Sequence, residues 1–263
     1  MKHYRKNRAT PHSNIVEEQF NRDAARNGTE AEKILTGYIQ SHEDSTAWIA
    51  EEIGQYPYEK TGAKHRAGIE KPDVVLYVIG EEKEYAFISL KCCKDFNTAF
   101  NQIKRCSLGS FREEFDAPEK AIAILRKYTE RKKKLLGKNY TEKELAYLLD
   151  FLNNNRRELL ASAFTGQSKK PKANWLLLHQ WTLTNWRRDI GRKAMSQLIS
   201  MKDILKLFDG IEVSYTKRGT ITFGAGVTLQ RKGGDNGKDS ANNLQFKLRI
   251  KPLRDTLRNS QSD

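Results

Sequence analysis

The sequence predicts an α/β fold in which a mixed central sheet is flanked by helices and followed by a β-rich C-terminal portion. Three observations predict it. Residues 72–91 contain two near-continuous apolar runs joined by a polar turn, which is typical of strands buried on both faces of a sheet. Segments with apolar residues at helical spacing, several of them preceded by capping residues, lie before and after these runs. Short strand-like segments separated by glycines fill residues 211–229.

Length, charge and cysteine content restrict the class of protein. The 263 residues are 38% hydrophobic, which is enough for a substantial core, and the formal net charge is +14. A field of this sign favours a polyanionic partner, either nucleic acid or an anionic membrane surface. Cys92, Cys93 and Cys106 lack metal-ligand spacing and are expected to be buried thiols in a reducing compartment. Because no apolar run is long enough for a signal peptide or a membrane span, the chain is expected to be cytoplasmic.

The chain is predicted to form one domain behind a flexible arm. Residues 1–13 are basic and polar and form the predicted arm. Residues 14–263 form the domain, in which we distinguish a core at about 14–110, a helical insertion at about 111–170 and a C-terminal portion at about 171–250.

The region before the hairpin is predicted to contain three helices and a loop. The first helix spans about residues 14–27, and a capping box that includes Glu32 opens the second. The third is short and ends at Gly54. A loop rich in glycine and lysine follows at residues 60–68, just before the hairpin.

The region after the hairpin is predicted to be mainly helical. The predicted elements are a helix capped by Asp95 that carries Phe100, Ile103 and Cys106, a basic helical stretch from Pro118 to Lys138, a helix from the capping box at Thr141 to Gly166, a core strand at 174–183 and a last amphipathic helix at 195–208. The cations of the basic stretch form either a phosphate-binding stripe or a solvated helix face.

A polar, glycine-rich loop is predicted at residues 230–247. Its candidate base-reading side chains are those of Gln230, Arg231, Lys232, Asp235 and Asn236. Arginine, lysine and amide side chains read base edges, and glycines permit a close approach of the backbone. A polar hairpin loop without a function is the alternative. The loop has no Walker pattern, so a nucleotide cradle is not predicted.

The predicted hairpin brings together side chains that are suited to catalysis. Ser89 and Lys91 are two residues apart and therefore project from the same face of their strand. The antiparallel return places that end of the strand beside Asp73. A carboxylate binds a hard cation such as Mg2+, and a lysine orients a water molecule or stabilises charge on a phosphate, so the pair outlines a phosphodiester hydrolysis site. The alternative is a salt bridge between two strand ends.

Basic side chains precede this site along the chain. Lys64 and Arg66 lie in the loop just upstream of Asp73, where they would suit contact with the phosphates of a bound strand. Because loops are often basic in basic proteins, a purely solvated loop is the other interpretation.

The spacing in the hairpin resembles the PD-(D/E)xK nuclease superfamily. Pro72-Asp73 opens one strand, and Ser89-Leu90-Lys91 stands where that superfamily has acid-x-Lys on the next strand. The second acid is therefore missing, and a serine hydroxyl is a poor metal ligand beside a carboxylate. Many nucleases of this fold take a Glu from an early helix, which makes Glu32 the candidate for the missing acid. The alternative role of Glu32 is that of a helix-capping carboxylate.

A second resemblance extends over most of the chain, from about Asn27 to Phe246. The segments that carry it are Phe100-Asn101-Gln102-Ile103, Trp175, Arg218 to Gly224, Gln230 to Gly237, and Leu244 to Lys247. They are similar to segments of the type II restriction endonucleases of the Hin-P group, which are related to the Msp four-base cutters and cleave short G/C palindromes. That group has Gln or Asn at the position of the missing acid, so Ser89 departs from it as well.

The resemblance implies an Mg2+-dependent endonuclease that makes a staggered cut in double-stranded DNA. Asp73 is then a metal ligand, Lys91 lies near the attacking water, the Leu90 carbonyl contacts the metal, and Ser89 acts through a water molecule. Gln102 corresponds to a group residue that works in the DNA groove. The site GCGC is favoured, with CCGG second.

The same resemblance sets expectations about partners. A cognate DNA methyltransferase is expected as a genomic partner that protects host sites. A four-base palindrome suits a two-fold homodimer, and a monomer that nicks each strand in turn is equally compatible with the sequence. Two other functions remain open at this point: a structure-directed DNA repair nuclease of the same fold, and a catalytically inactive DNA-binding module in which Ser89 marks a lost metal site.

Overall fold

The computed structural model describes residues 36–37, 39, 43–54, 61–65, 73–81, 83–93, 95–97, 100–129, 140–166, 171–180, 196–216, 219–233 and 242–260. In these ranges the strands are β1 (Thr61–His65), β2 (Val74–Val78), β3 (Glu84–Cys93), β4 (Phe100–Cys106), β5 (Trp175–Gln180), β6 (Ser196–Ser200), β7 (Ser214–Tyr215), β8 (Ile221–Gly224), β9 (Val227–Arg231) and β10 (Leu244–Arg249). The helices are α1 (Glu43–Ile53), α2 (Leu108–Phe115), α3 (Glu119–Thr129), α4 (Glu142–Asn154), α5 (Arg156–Thr165), α6 (Met201–Lys206) and α7 (Ile250–Ser260).

The first sheet has the order β1-β2-β3-β5-β6 and is the predicted mixed sheet. Strand β3 lies at its centre, antiparallel to β2 and parallel to β5, and the other pairs are antiparallel. The predicted hairpin is confirmed. One face of this sheet packs against Ile39 and Ile49 of the N-terminal helical region, so β3 is buried as its apolar run predicts.

The second sheet has the order β4-β10-β9-β8-β7, and all of its pairs are antiparallel. It confirms the predicted β-rich C-terminal portion. Its inner face supplies Phe223 and Phe246 to the larger core, which also contains apolar side chains of α2 to α7 and of β5 in the first sheet. The second sheet, one face of the first sheet and helices α2 to α7 therefore share this larger core, whereas α1 packs in a separate cluster on the other face of the first sheet. The helices flank the sheets as predicted.

The prediction of a loop at residues 60–68 is wrong for the described residues 61–65, because Thr61–His65 forms the edge strand β1. Lys64 pairs with Val75 in the register of β1 and β2. Glycine within this strand has a packing reason: a Cβ added at Gly62 would lie 2.4 Å from the ring of Tyr77. Pairing with a buried neighbour thus overrides the loop-like composition.

The helix predicted through Phe100, Ile103 and Cys106 is also wrong, because this segment is β4. Its register with β10 shifts where Phe246 pairs with Lys104 and the next residue, Lys247, pairs with Gln102. Ile103 is thus the extra residue of a bulge. The bulge allows Ile103 and Cys106, three residues apart, both to be buried in one core, which mimics a helical period.

Three further predictions need correction in the type or the bounds of the element. The predicted helix at 195–208 is β6 followed by the short α6, because Ser196–Ser200 pairs with β5. The predicted helix from Thr141 to Gly166 is two helices separated at Asn155, whose side chain donates to the Phe151 carbonyl at 2.8 Å. The predicted loop at 230–247 is shorter than expected, because β9 extends to Arg231 and β10 begins at Leu244.

Other local predictions are confirmed. Thr141 and Glu144 form the predicted reciprocal capping box at the start of α4. The three cysteines are buried thiols. Helices α2 and α7 were not predicted from the sequence. The basic stretch is described only as far as Thr129, and residues 1–13 lie outside the described ranges. No helix in the described part of the chain is long and apolar enough to span a membrane.

Candidate active site

The start of β2 fixes the position of Asp73. Its backbone N–H donates to the Ile88 carbonyl at 2.8 Å, and the adjacent pair in the register is Val74 with Ile88. Because the β2 ladder begins here, Leu90 on the longer β3 lies beyond its last backbone partner on β2. The backbone groups of Leu90 on this side are therefore available to side chains.

One carboxylate oxygen of Asp73 collects the contacts within the site. Its Oδ2 accepts from the Leu90 backbone N–H at 2.6 Å, lies 3.4 Å from the Ser89 hydroxyl and lies 4.0 Å from Lys91 Nζ. Within the described ranges Oδ1 accepts no hydrogen bond. The carboxylate is thus oriented through Oδ2 while Oδ1 remains able to bind a cation.

Lys91 completes the group of four neighbouring residues. Its Nζ donates to the Leu90 carbonyl at 2.6 Å, and its side chain is 12% exposed compared with 29% for Asp73. The ammonium therefore lies beside the Leu90 carbonyl oxygen and the Asp73 carboxylate, the two groups that the family resemblance implies as metal ligands. The structure brings the side chains of Asp73, Ser89 and Lys91 together, as the hairpin geometry predicts, and the backbone of Leu90 lies between them.

The position of the missing acid is buried. Ser89, which occupies this position, is 1% exposed, and its hydroxyl makes only a long contact with Asp73. Because serine replaces the acid, Asp73 supplies the carboxylate among the described residues of the site. No group of three or more His, Cys, Asp or Glu side chains suited to a metal ion occurs among the described residues. Glu32, the candidate second acid, lies outside the described residues, as do Arg66, Asp235 and Asn236.

The donor set of the described residues fits a hard divalent cation. The Asp73 carboxylate and the Leu90 carbonyl are both oxygen donors, which Mg2+ prefers over nitrogen and sulfur donors. Two of the cysteines are not suited to bind a metal ion. Burial raises the pKa of Cys93 and of Cys106 to about 12, so both thiols remain protonated at neutral pH.

Lys64 lies on β1 near the hairpin and is already paired. Its Nζ forms a salt bridge of 2.6 Å with Glu84, and it lies 5.6 Å from the centroid of the Tyr77 ring. The side chain is 45% exposed, which leaves the ammonium accessible from solvent.

A second group of candidate residues lies on the outer face of the second sheet, opposite its core. The register of β10 pairs Gln245 with Arg105 on one side and with Gln230 on the other. The Gln102 amide oxygen accepts from Gln245 Nε2 and, at 2.8 Å, from Arg105 Nη2. Gln230 donates to the Thr228 hydroxyl at 2.8 Å. We refer to the outward side chains of Phe100, Gln102, Arg105, Thr228, Gln230, Gln245, Lys247 and Arg249 as the polar sheet face.

The polar sheet face contains an exposed aromatic ring between two cations. Phe100 is 41% exposed, with Lys247 Nζ 4.7 Å and the Arg249 guanidinium 5.6 Å from its ring centroid. Burial lowers the pKa of Lys247. The sequence analysis placed Gln245 and Lys247 in the polar loop without naming them as site residues, and it missed Arg249. Their alternation with the buried Leu244, Phe246 and Leu248 was the signal that could have identified them.

Arg231 is the last residue of β9, and Lys232 follows it. Arg231 donates from Nε and Nη2 to the Asn242 side-chain oxygen, at 3.2 and 3.0 Å. The Lys232 N–H donates to the Asn243 carbonyl at 2.8 Å. These bonds tie the two ends of the loop together, so Arg231 has a structural contact in addition to its predicted role in base reading.

Comparison with solved structures shows the fold. The crystal structure of restriction endonuclease MspI in complex with its cognate DNA matches with a TM-score of 0.51 and 12% identity, over 82% of this chain and 83% of that chain. No curated protein matches the sequence. The family model of the R.HinP1I restriction endonuclease matches residues 73–253, from the aspartate of the candidate site into α7. The chain therefore belongs to the R.HinP1I restriction endonuclease family and is a type II site-specific deoxyribonuclease.

Proposed function

We propose that this enzyme hydrolyses phosphodiester bonds in double-stranded DNA at a short G/C palindrome in an Mg2+-dependent reaction. GCGC is the favoured site and CCGG the second, with 5′-phosphate ends and a 5′ overhang as products. The observation that carries the proposal is the convergence of the Asp73 carboxylate, the Leu90 carbonyl and the Lys91 ammonium at the end of the β2 ladder. The similarity of the segment from Gln230 to Gly237 to the Hin-P group supports GCGC.

In this proposal Asp73 and Leu90 hold the metal, and Glu32 is the candidate for a further carboxylate ligand. The bound metal would supply charge neutralisation at the phosphate and activation of water. Asp73 is held in place by the Leu90 N–H, so its free Oδ1 needs no reorganisation to accept a cation. Ser89 would act through a water molecule, because its hydroxyl reaches Asp73 only at 3.4 Å.

Lys91 would have two positions in the reaction. Its ammonium contacts the Leu90 carbonyl, one of the proposed metal ligands, so binding of a metal there requires the side chain to move. In its second position the Lys91 ammonium would remain on the face of β3 that also carries Ser89. There it would orient the attacking water or contact a phosphate oxygen. Lys91 is therefore proposed both to compete with the metal and to assist the reaction.

The polar sheet face is the proposed surface for reading DNA. Amide and cationic side chains on adjacent strands offer the donors and acceptors that base edges recognise. Gln102 and Gln230 belong to this face, and Arg231, Lys232, Asp235 and Asn236 are the further proposed base-reading residues that follow Gln230 in the sequence. Lys64 and Arg66, upstream of Asp73, are proposed phosphate contacts.

A methyltransferase that modifies the same palindrome is the proposed genomic partner. A restriction enzyme without it would cut the DNA of its own host. Both a monomer that cuts the strands in turn and a two-fold homodimer remain compatible with the proposal.

Cleavage of labelled duplexes that contain GCGC, CCGG or GGCC tests this function. The proposal predicts Mg2+-dependent cutting of the GCGC duplex, inhibition by EDTA and products that require phosphatase treatment before they can be labelled at the 5′ end. Cutting of CCGG alone would move the site to the second choice. Cutting of branched duplexes irrespective of sequence would overturn it in favour of a repair activity.

A further inference from the structure

Arg254 on α7 is held in a defined orientation next to the first sheet. Its Nε donates to the Gln197 side-chain oxygen at 2.9 Å, and its guanidinium carbon lies 4.2 Å from the centroid of the buried Phe96 ring. The stacking and the Nε bond fix the plane of the guanidinium. The terminal Nη1 and Nη2 groups donate to no residue within the described part of the chain.

The surroundings of Arg254 place it on the same side of the sheet as the candidate site. Lys91 pairs with Leu178 on β5, and Leu178 pairs with Gln197 on β6, so the three residues form one row across the sheet. Directly paired residues share a face, and neighbouring strands are about 4.8 Å apart, so the Gln197 backbone lies roughly 10 Å from that of Lys91. The side chain of Arg254 is long enough to reach back over part of this distance.

The guanidinium of Arg254 forms no salt bridge with a carboxylate among the described residues. Its nearest acidic neighbour along the helix, Asp255, forms a salt bridge of 2.7 Å with Lys251. Burial lowers the pKa of Arg254 and the positive charge of Arg258 on the next turn adds to this effect, although the charge of Asp255 acts in the opposite direction. A partly buried cation is normally compensated by an anion, so the position is suited to an anionic ligand.

We propose that Arg254 binds a backbone phosphate of the DNA strand that enters the candidate active site, one or two nucleotides from the scissile phosphate. The planar fork of its Nη groups matches the geometry of phosphate oxygens, and a charge-assisted hydrogen bond of this kind is among the stronger polar contacts. Arg254 is thus a positioning residue that fixes the strand relative to Asp73 and Lys91. The proposal rests on the nuclease activity of the family and not on the identity of the palindrome.

A phosphate scan with uncharged substitutions tests this role. A duplex that the enzyme cuts is prepared with one methylphosphonate at a time along each strand, and the affinity of each duplex is measured with Ca2+ in place of Mg2+. Wild-type enzyme should lose affinity about tenfold when the contacted phosphate is neutralised. The Arg254→Gln enzyme should bind the unmodified duplex about tenfold more weakly and show no further loss at that one phosphate. Its plot of log K against log salt concentration should be shallower by about 0.9.

Two further variants keep the test decisive. Lys251→Gln removes an exposed lysine from the same helix and should keep the wild-type scan at the contacted phosphate. Gln197→Ala removes the acceptor of the Nε bond and leaves the apolar contacts of α7 in place, and it should reduce the loss at that phosphate to about threefold. Because partial unfolding would weaken binding to every duplex equally, only a direct contact changes the shape of the scan. An unchanged scan in both Arg254→Gln and Gln197→Ala would overturn the proposal.

Discussion

The Leu90 backbone N–H donates to the Asp73 carboxylate at 2.6 Å, across the point where the ladder between β2 and β3 begins. This bond uses Oδ2 and leaves Oδ1 without a hydrogen bond in the described ranges. A backbone group of the central strand thus sets the orientation of the carboxylate on which the proposed metal chemistry depends.

Removal of the Asp73 charge should abolish cleavage while the fold is retained. In Asp73→Asn the amide oxygen can still accept from the Leu90 N–H, so only the charge and the capacity to bind a cation are lost. We expect the cleavage rate to fall at least about a thousandfold, and specific binding to remain measurable with Ca2+. Asp150→Asn on α4 is the matched control, and its rate should be unchanged. Cutting by Asp73→Asn within tenfold of wild type would contradict the assignment.

Replacement of Lys91 should affect metal binding and cleavage in opposite directions. Lys91→Met removes the ammonium 2.6 Å from the Leu90 carbonyl, so we expect Ca2+ to bind the free protein about fivefold more tightly in calorimetry. The cleavage rate should fall about a hundredfold or more, because proton transfer or charge stabilisation is lost. Lys64→Met, which removes a lysine paired with Glu84, should leave Ca2+ affinity unchanged. Weaker Ca2+ binding by Lys91→Met would show that the lysine does not compete with the metal.

The missing acid can be tested at Ser89. Ser89→Ala removes a hydroxyl that lies 3.4 Å from Asp73, and a loss of roughly tenfold in rate is expected if the hydroxyl acts through water. Ser89→Asp places a second carboxylate in the site and should lower the Mg2+ concentration needed for half-maximal cleavage. It should also lower the melting temperature of the metal-free protein, because two carboxylates then repel each other in a buried position. A thousandfold loss in Ser89→Ala would instead make the hydroxyl a direct metal ligand.

Arg231 should contribute to discrimination between base pairs. We expect Arg231→Ala to reduce discrimination at one base pair by about 1–3 kcal/mol, measured as the ratio of cleavage rates on cognate and single-mismatch duplexes. Asn242→Ala removes the acceptor of both Arg231 hydrogen bonds and separates the loop contact from base reading. An equal loss on all sequences in Arg231→Ala would make Arg231 a phosphate contact.

A buried ion pair between β4 and α2 should be important for stability. Lys104 Nζ lies 2.5 Å from the Glu114 carboxylate, both groups contact the Ser162 hydroxyl, and the side chains are only 10% and 16% exposed. Lys104→Met should lower the free energy of unfolding by about 3 kcal/mol, because it removes the cation that neutralises a largely buried carboxylate. The double variant Lys104→Met, Glu114→Gln should recover most of this loss in urea denaturation. Equal destabilisation by the single and the double variant would contradict this account.

Local pattern predicted the elements whose partners are near in sequence. The hairpin of β2 and β3, the capping box at Thr141 and the short strands after Ile211 all follow from residues within one segment. The same hairpin pattern predicted that the side chains of Asp73, Ser89 and Lys91 meet, since a turn and a period of two determine which side chains share a face. The role of the Leu90 carbonyl was implied only by the family resemblance.

Elements stabilised by distant partners were not predictable in this way. Strand β4 has helical spacing because of its bulge, and its pairing with β10 depends on residues near the other end of the chain. The ion pair of Lys104 and Glu114 and the contacts of Arg254 likewise join elements that only the tertiary fold brings together. Tertiary pairing overrides local propensity in these segments.

Digestion of a plasmid of known sequence by the purified protein with Mg2+, followed by run-off sequencing of the fragment ends, tests the central claim most directly. The account predicts discrete fragments whose ends all fall in one short G/C palindrome, with GCGC favoured and a 5′ overhang. Cleavage without a fixed sequence, or specific binding without any cleavage in Mg2+, would contradict it.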